Sequence, residues 1–329
     1  MMPAAPSPLP LTVLTGFLGS GKTTILKHAL ADPALAGTAV IVNEFGAVGL
    51  DHDLLESAEE DLVALSTGCL CCAVRGDLTR TIADLLSRRA AGEIAFEQLV
   101  IETSGLADPA PIVQGLALDV ALRGRVQLAR IVTTVDAVLG RQTLDNHPEA
   151  RKQVAFADLL VLTKGDLAPT QTAEQAARQF NPSTAVATTE NGRLDPTLLL
   201  PPATPSQALA DILARTEDAA PDHTEGLTTV TLVRPEPVPA IALTLFLEAL
   251  AEACGPDLLR VKGLVQIAES PDTPAVVHGV QHVFHALDWL DAWPTADHNT
   301  RLVFIGRNLM PGWPRLLLQQ IEREVAAAS

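Results

Sequence analysis

No apolar run in the 329 residues approaches the length of a membrane-spanning helix, so no membrane partner is expected. The opening "MMPAAPSPLP" has no basic n-region and no cleavage pattern behind an apolar stretch. No signal peptide is expected, therefore, and the expected location is cytoplasmic. Positive charge is scarce as well. The formal net charge is −16, with 23 acidic against 15 basic residues over 1–200 and 16 against 8 over 201–329. Neither part offers a basic surface to a phosphate backbone, which argues against nucleic acid as a partner. Cysteines number four, and no internal repeat is visible. Three of the four, Cys69, Cys71 and Cys72, crowd into "STGCLCCAVRGDL", and no second cluster exists to pair with them. A disulfide framework is thereby excluded. In a reducing compartment such a cluster points to metal or redox chemistry.

What is present is a rhythm. "LTVLTGFLG", "TAVIVNEFG", "FEQLVIETSG", "ARIVTTVDAV" and "ADLLVLTKGD" are short apolar runs that end in polar residues, with helical stretches such as "SGKTTILKHALA" between them. That cadence predicts a mostly parallel α/β sheet covered by helices on both faces. From Pro196 the text turns rich in Pro, Ala and acidic residues, then resumes with strand- and helix-like segments closing on "GWPRLLLQQIEREVA". The expected organisation is a tail over 1–8, a nucleotide-binding domain over 9–200, a linker over 201–222 and a smaller α+β domain over 223–329.

"GFLGSGKTT", residues 16 to 24, matches G-x-x-x-x-G-K-[ST] between a strand and a helix, the context this phosphate-binding motif requires. Gly16, Gly19 and Gly21 let backbone N–H groups, with those of Ser20 and Thr24, turn toward phosphates at the positive end of the helix. Lys22 would reach the β- and γ-phosphates, and Thr23 would join an Mg²⁺ shell. In "VIETSGLADP", Glu102 would hold a metal-bound water and Gly105 would give its N–H to the γ-phosphate. "TKGD" supplies Asp166 as an acceptor for the two donors of guanine, with the Lys164 stem along the base; Thr163 stands where asparagine is usual in such signatures. GTP is favoured over ATP.

Taken in order, "GFLGSGKTT", "VNEFGAVGLD", "TGCLCCAVRGDL", "IETSGLADP" and "TKGD" resemble the CobW-type GTPases of the group that includes HypB and UreG. "LLRVKGLVQIAE", "HGVQHVF" and "RLVFIGRNL" are similar to the CobW C-terminal domain. The resemblance implies a P-loop NTPase fold of the SIMIBI branch and a metal site at Cys69, Cys71 and Cys72. Three thiolates in an irregular turn can converge on one soft ion, Zn²⁺ or Cu⁺ over Mg²⁺, and leave a position open for release. Glu44 and His52 are the candidates for a fourth ligand. Ala73 stands where c-type haem attachment would need histidine, and a redox centre would need only two thiols. Cys254 reads as core, and His278 and His282 read as sharing a strand face from which His285 points away.

The implied activity is a GTP-hydrolysing metallochaperone that carries zinc, with cobalt not excluded, to a client metalloprotein. A homodimer is compatible with it. No glutamine or arginine finger is evident, so slow intrinsic turnover is expected. Two alternatives stand beside it: a GTP-dependent cobalt insertase or nitrile-hydratase-type activator, and a P-loop small-molecule kinase. Thr163, Asp166 and the lack of an arginine-rich lid speak against the kinase.

Overall fold

The computed structural model describes residues 8–43, 63–64, 70–74, 78–182, 184–199, 222–224, 227–281, 283–284 and 287–328. Packing divides the chain into two compact units. One holds Met1–Gln153, Ala157–Glu174 and Val186–Ala203; the other holds Val154–Phe156, Gln175–Ala185 and Thr204–Ser329.

The first unit is organised by one sheet. Its strands are β1 (Leu9–Gly16), β2 (Thr38–Asn43), β3 (Val63–Ala64), β4 (Leu70–Val74), β5 (Gln98–Thr103), β6 (Val126–Asp136), β7 (Leu159–Thr163) and β8 (Ala185–Thr188), in the order β3-β4-β2-β5-β1-β6-β7-β8. The run from β4 to β7 is parallel, and β3 pairs β4 antiparallel. Leu11, Val13, Leu14, Val100, Ile101, Ile131, Val132, Leu160 and Val161 are all buried. Such unbroken burial arises because helices cover both faces of a parallel sheet, so no position along the strand needs to be polar. Helix α1 (Lys22–Leu30) buries Ile25, Leu26, Ala29 and Leu30, an i, i+1, i+4, i+5 stripe. Helix α2 (Leu78–Ala90) buries Ile82, Leu85 and Leu86 in the same way. Helix α3 (Pro109–Leu118) starts on a cap: Asp108 accepts the Ala110 N–H at 3.0 Å, and Pro109 takes the first helical position. The helices α4 (Gly140–Asn146), α5 (Pro148–Phe156), α6 (Gln171–Arg178) and α7 (Pro196–Leu199) follow in order.

The second sheet is antiparallel, in the order β13-β12-β11-β15-β10-β9, with β14 off the path on β12. Its strands are β9 (Asp222–Thr224), β10 (Leu227–Arg234), β11 (Leu258–Ile267), β12 (Ser270–Val280), β13 (Val283–Phe284), β14 (Asp288–Trp289) and β15 (Thr300–Arg307). Helices α8 (Ala240–Cys254) and α9 (Trp313–Ala328) complete a smaller α+β domain, and Gly255 closes α8 at φ 46°. Its core joins Phe246 of α8 edge-on to Phe304 of β15, ring centroids 6.3 Å apart, with Val230, Val261, Val277 and Leu302 around them. Cys254 packs against this core as expected, and its burial pushes the thiol pKa up.

Two local expectations are corrected. The segment containing His278 and His282 is not one strand. β12 ends at Val280, and Val280 pairs back to Val283 across a tight turn in which Gln281 adopts φ 53°. His278 lies on β12, while His282 and His285 lie outside the described residues. The irregular turn expected for C-L-C-C is, from Leu70 on, the strand β4. Cys71 pairs with Val40 and Cys72 with Ile41, so neighbouring β2 supplies their backbone partners. Among the described residues no helix is long and apolar enough to cross a membrane.

Candidate functional site

Strand β1 lies at the middle of the first sheet, flanked by β5 and β6, and the functional loops gather at the carboxyl ends of these strands. Gly16 ends β1 at φ 142°, and a Cβ there would fall 2.2 Å from Thr134 Oγ1 and 2.8 Å from Ser20 Oγ. Only glycine lets the chain leave the strand at that point. Gly21, at φ 95°, then turns the loop into α1, where the Ile25 N–H reaches the Gly21 carbonyl at 3.0 Å. Lys22 is buried. Its Nζ arches back to donate to the carbonyls of Gly16 (2.9 Å) and Phe17 (3.1 Å), which places a cation inside the curve of the loop. Ser20 Oγ lies 2.6 Å from Thr134 Oγ1 and ties the loop to β6.

Glu102 is the buried acid near the end of β5, in register with Leu14 of β1. Thr23 Oγ1 donates to its Oε1 at 2.5 Å. A hydroxyl and a carboxylate oxygen beside a phosphate loop form a hard-oxygen donor set, which suits Mg²⁺ with its remaining positions filled by water and phosphate. The residues present fit the ion: Thr23 would hold it directly and Glu102 through water. Once bound it would neutralise charge on the β- and γ-phosphate oxygens. After β5 the chain folds onto the phosphate loop. A Cβ on Gly105 would fall 2.6 Å from the Leu18 nitrogen and 2.7 Å from its Cα, so Gly105 sits against the loop as only glycine can.

On the other flank, β7 ends in Thr163, whose buried hydroxyl donates to the Ser20 carbonyl at 2.7 Å. The residue at the place usual for asparagine thus pins the phosphate loop. Lys164 takes φ 60° and pairs with Asp136 at the end of β6. The other oxygen of Asp136 accepts the N–H groups of Val138 (2.7 Å) and Leu139 (3.2 Å), fixing the carboxylate that Lys164 meets. Asp166 is exposed, and its Oδ1 accepts the Asn191 N–H at 3.1 Å. Gly192 of that same loop packs onto α1, since a Cβ there would meet Thr24 Cγ2 at 2.6 Å and His28 Nδ1 at 2.8 Å.

Gly16, Gly19, Ser20, Gly21, Lys22, Thr23, Thr24, Glu102, Gly105, Lys164 and Asp166 therefore share one end of the sheet. The thiol side is less complete: Cys71 and Cys72 occupy successive positions of β4, while Cys69, Glu44 and His52 lie outside the described residues. Sequence reasoning passed over Asp136 and Gln153. Asp136 carried a signal, since "IVTTVD" ends a strand in an acid as "LVIET" nearly does. Gln153 carried none, being one glutamine on a helix 48 residues beyond the loop it touches.

Residues 10–188 match the family model described as CobW/HypB/UreG, nucleotide-binding domain. The chain belongs to the CobW/HypB/UreG family. Residues 227–322 of this CobW-family chain match the cobalamin synthesis protein cobW C-terminal domain. It is 32% identical over 307 residues, 92% of its own length and 95% of the relative's, to the zinc chaperone YjiA of Escherichia coli. It is 35% identical over 202 residues to the zinc-regulated GTPase metalloprotein activator 1 of Schizosaccharomyces pombe, and spans about half (47%) of that protein. Among solved structures, the Zn(II)-bound YjiA GTPase from E. coli superposes with a TM-score of 0.70 at 28% identity, over 95% of this chain and 99% of the other.

Proposed function

We propose that this CobW-family chain is a GTP-hydrolysing metallochaperone that carries zinc at Cys69, Cys71 and Cys72 and releases it to a client metalloprotein in the cytoplasm. Glu44 or His52 would complete the metal's ligands in one nucleotide state. The relatives' names, a zinc chaperone and a zinc-regulated GTPase activator, support the cargo and the nucleotide. The chemistry is transfer of the γ-phosphoryl group to water, in which the bond to the β-phosphate oxygen breaks and GDP and phosphate leave. Lys22 and the N–H groups of the loop would stabilise the charge that gathers on the phosphate oxygens.

The observation that carries a coupled function is a register. Asn43, the last residue of β2, pairs with Thr103 on one side and with Val74 on the other. Thr103 follows Glu102, and Val74 lies two residues past Cys72. The strand bearing the thiols thus reaches the phosphate-facing loop across a single intervening strand. A γ-phosphate that orders the loop after Glu102 would bias the segment entered at Asn43, whose next residue is Glu44.

Linkage makes the effect reciprocal: what GTP adds to metal affinity, metal adds to GTP affinity, typically ~1–3 kcal/mol or about 5–150-fold. Chelator-competition titration of Zn²⁺ with GDP bound, and then with a non-hydrolysable GTP analogue, should give unequal affinities, tighter with the analogue. Equal affinities would leave a GTPase and a metal site with no transfer mechanism between them.

A further inference from the structure

One corner of the fold, at the bend between α4 and α5, touches both the phosphate loop and the loop that follows β5. Phe17 of the phosphate loop stacks there on His147, ring centroids 4.4 Å apart. One turn further on, Lys152 Nζ lies 2.5 Å from Asp108 Oδ2, the carboxylate that caps α3. The next residue, Gln153, is 1% exposed and directs its amide into the loop itself. Its Nε2 donates to the carbonyls of Gly105 (3.1 Å) and Ala107 (3.0 Å). Both neighbours of that nitrogen are acceptors, so the orientation of the amide is fixed by chemistry. Among the described residues its Oε1 is buried with no hydrogen-bond partner. A methionine of similar shape would fill the space without that lone oxygen, but it would strip both carbonyls of the donor they share, so what the glutamine adds over packing is its hold on the loop.

What the amide achieves follows from peptide planarity. A trans peptide points its N–H opposite to its C=O, so holding a carbonyl aims the N–H of the next residue. The Ser104 carbonyl is held by the Ala107 N–H (3.1 Å) and the Thr103 hydroxyl (3.1 Å), and this aims the Gly105 N–H. Gln153 acts on that peptide at one remove: it holds the carbonyl on the other side of the Gly105 Cα, and the carbonyl of Ala107, the residue whose N–H grips Ser104. Three of the four consecutive carbonyls from Ser104 to Ala107 are thereby fixed, and Gly105 is pressed against Leu18 of the phosphate loop.

We propose that Gln153 is the positioning residue that presents Gly105 to the γ-phosphate, and so sets the preference of the protein for GTP over GDP. The proposal rests on the reading of Gly105 as a γ-phosphate contact. GDP lacks the group that Gly105 would meet, so loosening the loop penalises GTP alone.

The test is Gln153→Met in the full chain, with Mg²⁺ present. Affinities for GDP and for a non-hydrolysable GTP analogue are measured beside the thermal midpoint and kcat. The expected result is GDP affinity within about twofold of the native protein, analogue affinity lower by about tenfold, lower kcat and a fall in Tm of only a few degrees, with the variant folded at the assay temperature. Gln153→Glu, which cannot donate to the two carbonyls, should lose the same preference even if it is less stable. An unchanged ratio of analogue to GDP affinity in the methionine variant overturns the proposal. Gly105→Ala separates the two levels of the argument. If that variant folds and keeps the native ratio, Gly105 does not read the γ-phosphate and both readings fall. If it loses the ratio while Gln153→Met keeps it, only the role of Gln153 falls.

Discussion

Replacing Thr163 by valine tests how far the end of β7 governs the phosphate loop. The two side chains are nearly the same size, so packing is preserved and only the hydroxyl is exchanged for a methyl. Thr163 is 2% exposed, and its Oγ1 donates to the Ser20 carbonyl at 2.7 Å; a longer contact, 3.5 Å, reaches the Val135 carbonyl. Removing the donor strips that hydrogen bond from a buried backbone carbonyl, at a cost of ~1–3 kcal/mol. The loss should appear twice. In a domain of this size it lowers Tm by about 2–4 °C per kcal/mol. Because Ser20 lies in the phosphate loop, the same loss should weaken GDP binding, by up to about 5–150-fold if all of it falls on the loop. Thr163→Ser keeps the donor and discards only the methyl, so it should bind GDP almost natively. Calorimetric titration of GDP against the three proteins, with urea unfolding of each, gives both numbers. Native GDP affinity in the valine variant would refute the claim that this hydroxyl shapes the loop.

Two further perturbations address other parts of the chain. Asp166→Asn keeps an acceptor for the Asn191 N–H but places an amide donor opposite the donors of guanine; GTP affinity should fall by at least about tenfold and XTP should gain, as read by competition binding. Equal affinity of the native protein for GTP and ATP would defeat the guanine assignment. In the second domain, the hydrogen bond and charge of Arg301, with the Asn299 N–H, hold the Asp297 carboxyl below the usual carboxylate range. A depressed pKa stabilises the fold above the ordinary carboxylate value of about 3.9 and loses that contribution as pH falls through the lowered one. Asp297→Asn should therefore melt below the native protein at neutral pH and together with it in strong acid; a constant difference across the range would contradict the ion pair.

The nucleotide half of the site was largely readable from the sequence because its parts are local. A glycine that must leave a strand, a lysine and a threonine that open a helix, and an acid at a strand end each sit beside the feature that gives them meaning. The apolar strands were readable for a related reason, since burial on both faces of a parallel sheet removes any need for alternation. What escaped depends on distant pairing. Cys71 and Cys72 lie in a strand because β2 offers them hydrogen-bond partners some thirty residues earlier, which three crowded thiols beside a glycine do not reveal. The break after Val280 escaped because Gln281, and no glycine, takes the positive φ. Gln153 escaped because a buried amide is identified only by the two carbonyls it meets.

The central position of β1 has a consequence for how the protein is made. The phosphate loop is complete in the chain at Thr24, but β1 finds its two neighbours only in Gln98–Thr103 and Val126–Asp136. Thr134, which receives Ser20 and closes over Gly16, follows about 110 residues later. At ordinary synthesis speeds that is an interval of roughly 5–20 s. During it a nascent chain carries the nucleotide-binding sequence without the β6 side of the site. Any product truncated before β6 would keep the motif and lack the fold that lets it grip a phosphate.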